Sequence, residues 1–345
     1  MYIRSTIWIL LIATGCFLFV QACRKKNDVT SKLTPITFPV PPGFPPPAYP
    51  FEKNPLTEEG YQLGKKLFYD GILSKDGSIS CASCHHQIAG FGTFDHDLSH
   101  GIFNQHTMRN APSLSNLAWQ RAYRWDGSAA TIEQVILQHI QGGNEMGETV
   151  LGIMNKLQRD TGYRNAFQKA FGSTQISPQR LSFALSQFVL LLVSGDSKFD
   201  QVKQGLATFT PNEQAGYDLF MANCNSCHQE PLFTDFTYRN NGLGWNPTTG
   251  DIGRMRVTGT ISDSLKFRVT QLRNVQMTFP YGHDGKIASL SQMMTHYSTG
   301  IQDGTTLDPL LKNKIPLSDQ ERFLLVQFLS TLTDTTFMNN PRFSE

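Results

Sequence analysis

Apolar residues recur at helical spacing along most of the chain, and these runs mark out the elements. Residues 56–68 form an amphipathic run that includes Thr57-Glu58-Glu59, a polar cap followed by acids in the first turn. Residues 131–141, 150–171 and 177–193 keep the same period, the last of them apolar over nearly all of one face. Thr210-Pro211-Asn212-Glu213 opens a further helix toward Cys224, with Pro211 at the first helical position; residues 289–297 and 318–332 add two more. The alternation expected of strands is scarce, so the pattern predicts a mainly α protein. A helix, a Cys-x-x-Cys-His segment, a loop and further helices follow one another twice, which divides the body into residues 51–205 and 206–345.

Two stretches near the N-terminus follow other patterns. Arg4 precedes an apolar run over residues 7–20, which is short for a bilayer span. Residues 1–22 therefore read as a secretory signal peptide, and of the lipoprotein type, because small Ala22 stands before Cys23 and polar Arg24-Lys25-Lys26-Asn27-Asp28 after it. Cys23 is the expected lipidated residue, which would place the protein in the periplasm, anchored to a bacterial membrane. An ordinary cleaved signal and an uncleaved anchor are the alternatives. Residues 23–50 include eight prolines between Ser31 and Pro50, and read as an extended tether with a reach of about 80 Å at ~3 Å per residue.

At 345 residues the chain is long enough for about two ordinary domains, each with its own core. A charged fraction of 17% and a formal net charge of +2 supply no basic stripe for nucleic acid. Cysteine usage is more informative. Of six cysteines two lie in the leader, and the others form Cys81-Ala82-Ser83-Cys84-His85 and Cys224-Asn225-Ser226-Cys227-His228. Two thiols at this spacing add across the vinyl groups of one porphyrin, and the next residue is aimed at the iron. His85 and His228 are thus the expected proximal ligands of two c-type haems, one in each cytochrome c-like domain. A redox dithiol leaves the trailing histidines unexplained, and a zinc ribbon would need pairs closer together than 143 residues.

Other segments carry a resemblance. Arg109-Asn110-Ala111-Pro112-Ser113-Leu114, Trp125-Asp126-Gly127, Glu145-Met146, Leu272-Arg273-Asn274-Val275 and Pro280-Tyr281-Gly282-His283-Asp284-Gly285 resemble, in order, the bacterial di-haem cytochrome c peroxidase family, which includes MauG. The resemblance implies a peroxidatic N-terminal haem and an electron-transfer C-terminal haem. It makes Glu145 the catalytic acid-base residue, since the leaving oxygen of peroxide must depart as water. His100 matches a distal ligand that caps the first iron at rest, with His96 and His106 in the same loop. Trp125 matches a tryptophan between the haems. Asn110, Thr278 and Pro280 match positions associated with calcium, although they also read as turn formers.

Two positions depart from the family pattern. A glutamine slot near Glu133 is filled by Val135, and Gln134 is about 100° away around the helix. The slot for a distal methionine on the second haem holds Tyr297, as in MauG, with Met293 and Met294 one turn back. A phenolate there would favour the ferric or higher state. The leading expectation is a peroxidase that reduces hydrogen peroxide with electrons from a small periplasmic cytochrome or copper protein, entering at the C-terminal haem. The alternatives are a MauG-like oxidase acting on a protein or organic substrate through a high-valent iron pair, and a non-catalytic electron carrier. Members of the family are often dimers, so a homodimer is a further expectation.

Overall fold

Capping residues set where the helices begin. The computed structural model describes residues 32–94 and 96–345; the leader, Cys23 and Asp95 lie outside the described residues. The N-terminal half contains α1 (Glu58–Tyr69), α2 (Ile132–Gln141), α3 (Val150–Arg159), α4 (Thr161–Phe171) and α5 (Pro178–Leu190). Helices α6 (Lys198–Lys203), α7 (Pro211–Asn223), α8 (Met255–Thr258), α9 (Leu290–Thr295), α10 (Asp319–Ser330) and α11 (Thr335–Met338) follow. Thr131, Ser197, Thr210 and Ser318 each close a capping box with the residue three positions on, which satisfies backbone donors that the first turn leaves free. The only two strands among the described residues are β1 (Tyr238–Arg239) and β2 (Phe267–Arg268), paired antiparallel with Tyr238 opposite Arg268.

Two helix crossings organise the interior. Helix α1 packs on α5, and α7 on α10. In each pair a glycine lets the backbones touch: a Cβ on Gly64 would stand 2.7 Å from the carbonyl carbon of Ala184, and one on Gly216 2.7 Å from that of Leu324. Leu67, Phe68, Phe91, Leu157, Phe167 and Phe188 gather around the first crossing, and Phe199, Phe220, Phe233, Leu325 and Phe328 around the second. Each side chain buried this way contributes roughly 1.5–3 kcal/mol, so these cores hold the helices that frame the site.

The two halves repeat in bonding as well as in order. Asn116 and Asn274 have φ of 58° and 61°, and their Oδ1 atoms accept from Ser194 N at 2.9 Å and Asp334 N at 2.8 Å. Tyr123 donates its hydroxyl to Leu117 O, Tyr281 to Val275 O, and the two tyrosines bridge to Ala129 and Ile287. Asn116/Asn274, Leu117/Val275, Tyr123/Tyr281 and Ala129/Ile287 all stand 158 residues apart.

Four features differ from the sequence pattern. The run over residues 150–171 breaks at Asp160, whose carboxylate accepts from Tyr163 N and so starts a second helix. The run over 289–297 is α-helical only to Thr295 and then widens into a π-turn, His296–Gly300. The proline-rich stretch expected to be a free tether lies on the body: Ile36 N donates to Leu56 O, Ala48 N to Ala118 O, and Phe44 packs against Trp119, whose Nε1 donates to Pro45 O. Its aromatic side chains anchor it there, Phe38 and Phe44 both packing on Trp119. Finally, the division at residues 205 and 206 is not clean. Phe199 joins the second core, while Phe337 and Phe343 return to Phe91 in the first. No helix among the described residues is long and apolar enough to cross a membrane.

Candidate functional site

Both Cys-x-x-Cys-His segments are wound into the same turn. His85 N donates to Cys81 O at 3.0 Å and His228 N to Cys224 O at 2.9 Å. The histidine rings are then held alike, His85 Nδ1 donating to Phe91 O at 2.8 Å and His228 Nδ1 to Phe233 O at 3.0 Å. These bonds leave Nε2 of each ring available to a metal. Phe91 and Phe233 carry φ of 59° and 57°, a left-handed conformation that costs of order 1–3 kcal/mol, so both halves spend strain to aim the same carbonyl. Burial pushes His85 down to about 4 and lowers His228, which keeps both rings neutral, the form that binds metal. It also pushes the Cys81 and Cys224 thiols up to about 12, and no described cysteine is in a disulfide.

Cys81, Cys84 and His85 line a cavity of about 540 Å³, and Cys224, Cys227 and His228 line a second of about 230 Å³. Phe68, Leu117, Ile136 and Met146 wall the first; Val275, Leu290, Met294 and Leu329 wall the second. Arg268 lines both. It is buried, its Nη1 donates to Gln120 Oε1 at 2.9 Å, and its Nε has no partner. An apolar chamber with two thiols, a neutral imidazole and a guanidinium lacking a carboxylate partner fits a covalently held porphyrin with acidic side arms. No described group of His, Cys, Asp and Glu is placed to hold a metal ion by itself.

Glu145 lies on the wall of the first cavity, in the loop that follows α2. Its Oε2 accepts from His139 Nδ1 at 2.9 Å, and Arg124 Nη2 stands 3.9 Å from Oε1. Arg124 also donates to Gln138 Oε1 at 3.2 Å. The loop is pinned by Ile102 N donating to Glu145 O at 2.8 Å and Lys75 N donating to Met146 O at 2.9 Å. Burial opposes the charge on Glu145, but His139, Arg124 and His85 outweigh it and hold the carboxyl below its usual range. Val135 lines the cavity, whereas Gln134 turns back to Ala130 N and Thr131 N and closes the α2 cap.

Trp125 lines both cavities and donates Nε1 to Asn110 O at 2.8 Å. Its indole meets Phe267 edge-on at 6.5 Å, and Phe267 stacks on His283 at 3.8 Å. The neighbouring Asp126 is paired with Arg109 at 2.7 Å, and Arg109 with Asp251 at 2.8 Å, a buried network that fixes the Trp125 turn. Asn110, Thr278 and Pro280 all line the second cavity. Tyr297, on the π-turn, lines it too, and burial pushes its phenol up to about 12. Met293 and Met294 share that wall.

His100 is the one expected site residue that lines neither cavity, although its neighbours Ser99 and Gly101 line the first. Its ring lies between those of His96 and His106, at 4.9 and 4.3 Å, and its Nδ1 bonds Asn104 Oδ1 at 2.7 Å. Sequence reasoning had no place for His139, Arg124, Gln138 or Arg268. For His139 the repeat does: it stands 158 residues before Tyr297, and each lines the cavity of its half.

Comparison with known proteins agrees with this geometry. Residues 58–208 match the family model described as di-haem cytochrome c peroxidase. Methylamine utilization protein MauG of Methylorubrum extorquens is 34% identical over 287 residues, 81% of this chain and 79% of its own. Cytochrome c551 peroxidase of Nitrosomonas europaea is 34% identical over 284 residues, 81% of each chain. A crystal structure of a MauG-like protein associated with microbial copper homeostasis superposes with a TM-score of 0.83 at 34% identity, covering 90% of this chain and 99% of that one. The chain therefore belongs to the di-haem cytochrome c peroxidase family, oxidoreductases whose name implies two c-type haems.

Proposed function

We propose that the protein reduces hydrogen peroxide to water, with electrons from a small periplasmic cytochrome or copper protein. Cys81, Cys84 and His85 would hold one haem and Cys224, Cys227 and His228 the other, the two hydrophobic cores serving as the two haem domains. When bound, the haems supply redox-active irons that pass two electrons to peroxide. The observation that carries the reading is Glu145, a charged carboxylate on the wall of the first cavity, whose other lining acid, Asp126, is tied up by Arg109. Its role is to take a proton from one peroxide oxygen and return it to the other, so that the departing oxygen leaves as water. Arg124 would orient the peroxide beside it.

Trp125, shared by both cavities, is the proposed electron bridge from the second site to the first. Tyr297 is the proposed distal ligand of the second haem, and His100 the resting ligand of the first, which its place among His96 and His106 leaves withdrawn from the cavity. Asn110, Thr278 and Pro280 offer carbonyl oxygens suited to calcium. Lipidation at Cys23, a periplasmic location and a homodimer complete the proposal.

A second reading, MauG-like oxidation of a protein or organic substrate, is favoured by Tyr297 at the second cavity. A plain electron carrier would have no use for Glu145. Glu145→Gln should abolish peroxide turnover with reduced cytochrome c while both haem spectra stay intact; undiminished turnover would overturn the proposal.

A further inference from the structure

We propose that His139 is the proton entry to Glu145, taking protons from solvent at one edge of its ring and passing them to the carboxylate from the other. The inference rests on the peroxidase reading. Reduction of one peroxide consumes two electrons and two protons, H2O2 + 2 e⁻ + 2 H⁺ → 2 H2O, and Glu145 only moves protons already present. Protons from solvent must therefore reach a carboxylate whose side chain is 19% exposed. The His139 side chain is 40% exposed, lines the same cavity, and directs Nδ1 to Glu145 Oε2 at 2.9 Å.

The other groups around the pair cannot do this. Arg124, 3.9 Å from Oε1, does not deprotonate in a protein; Gln138 carries no exchangeable charge. His85 is fully committed, through Nδ1 to Phe91 O and through Nε2 to its expected iron. In the relay, water protonates His139 at Nε2, the Nδ1 proton passes to Glu145 Oε2, and the ring regains its Nδ1–H form by exchange with water. No electron moves and no heavy-atom bond changes. The helix position supports this placement independently, since its counterpart 158 residues on is Tyr297, which faces the second cavity.

His139→Gln is the discriminating variant in the holoprotein, because an amide can donate to Glu145 but cannot relay a proton. It should lower kcat by about tenfold or more, within the range of lost acid–base assistance, and the loss should deepen as pH rises. Added imidazole should restore part of the rate. A pH-indicator dye, after one equivalent of peroxide is mixed with the reduced protein, should show proton uptake slowed by the same factor. Wild-type kcat and uptake in His139→Gln, with Glu145→Gln inactive, would overturn the relay and leave the peroxidase reading standing. A change in the ferric electron paramagnetic resonance spectrum of the first haem in His139→Gln would also overturn it, by making His139 an iron ligand. An active Glu145→Gln protein would instead remove the reading on which the relay rests.

Discussion

Replacing Gly142 by alanine should separate activity from stability. Gly142 follows α2 with φ −59° and ψ 117°, a conformation open to any residue, so the backbone does not oppose the change. The added Cβ would nevertheless stand 3.0 Å from Glu145 Cδ and 3.1 Å from Glu145 Cβ, and closer still to Oε2. Carbon atoms pack at about 3.5–4.0 Å, so the carboxyl group must retreat by roughly 0.5–1 Å. The 2.9 Å bond from His139 would then stretch beyond useful length. A misplacement of this size costs on the order of 10²-fold in rate, or about 2.7 kcal/mol of barrier. Stability should change far less, because the roughly 0.4–1 kcal/mol that alanine gains by restricting the unfolded chain is offset by the displaced Glu145 side chain. Steady-state peroxide reduction by the holoprotein, with thermal unfolding on the same sample, measures both. A folded Gly142→Ala protein with undiminished kcat would refute the assignment of that loop to the catalytic acid.

Gly64→Ala and Gly216→Ala should each destabilise by about 1–3 kcal/mol or more, since the new Cβ meets the rigid backbone of the facing helix at Ala184 or Leu324. Urea unfolding that leaves either variant as stable as wild type would show that the crossings are looser than described. Asp200 predicts a pH dependence. Burial opposes its charge, but Arg273, bonded at 2.8 Å through both Nη atoms, and Ser197 outweigh this and hold the carboxyl below its usual range. A folded-state value below the unfolded one, about 3.9, means the pairing contributes fully above about pH 4 and is lost as pH falls through the depressed value. Asp200→Asn should flatten that acid limb in unfolding measured against pH. It should also cost about 3–5 kcal/mol near neutrality, because Arg273 is left buried and unpaired; an unchanged acid limb would rule the pair out as its source.

What was legible in the sequence is what short-range chemistry dictates. The spacing of Cys81, Cys84 and His85 is set by covalent reach, and Thr57, Thr131, Thr210 and Ser318 mark helix starts because a cap acts on donors three residues away. What was not legible depends on contacts between distant residues. Phe44 under Trp119, and Phe343 against Phe91, have no local signature, so a stretch full of proline read as a tether and the chain end as part of the second half. His139 is the instructive case. A histidine within an amphipathic helix looks like any other half-exposed polar residue, and the acid it serves lies beyond the helix end. Only the 158-residue repeat singles it out, because a duplicated fold reuses a cavity-lining position and changes the chemistry placed there. One half presents a phenol, Tyr297, toward its cavity, and the other an imidazole joined to a carboxylate. That difference between equivalent positions is the physical basis for the proposal that proton chemistry belongs to the first site and electron transfer to the second.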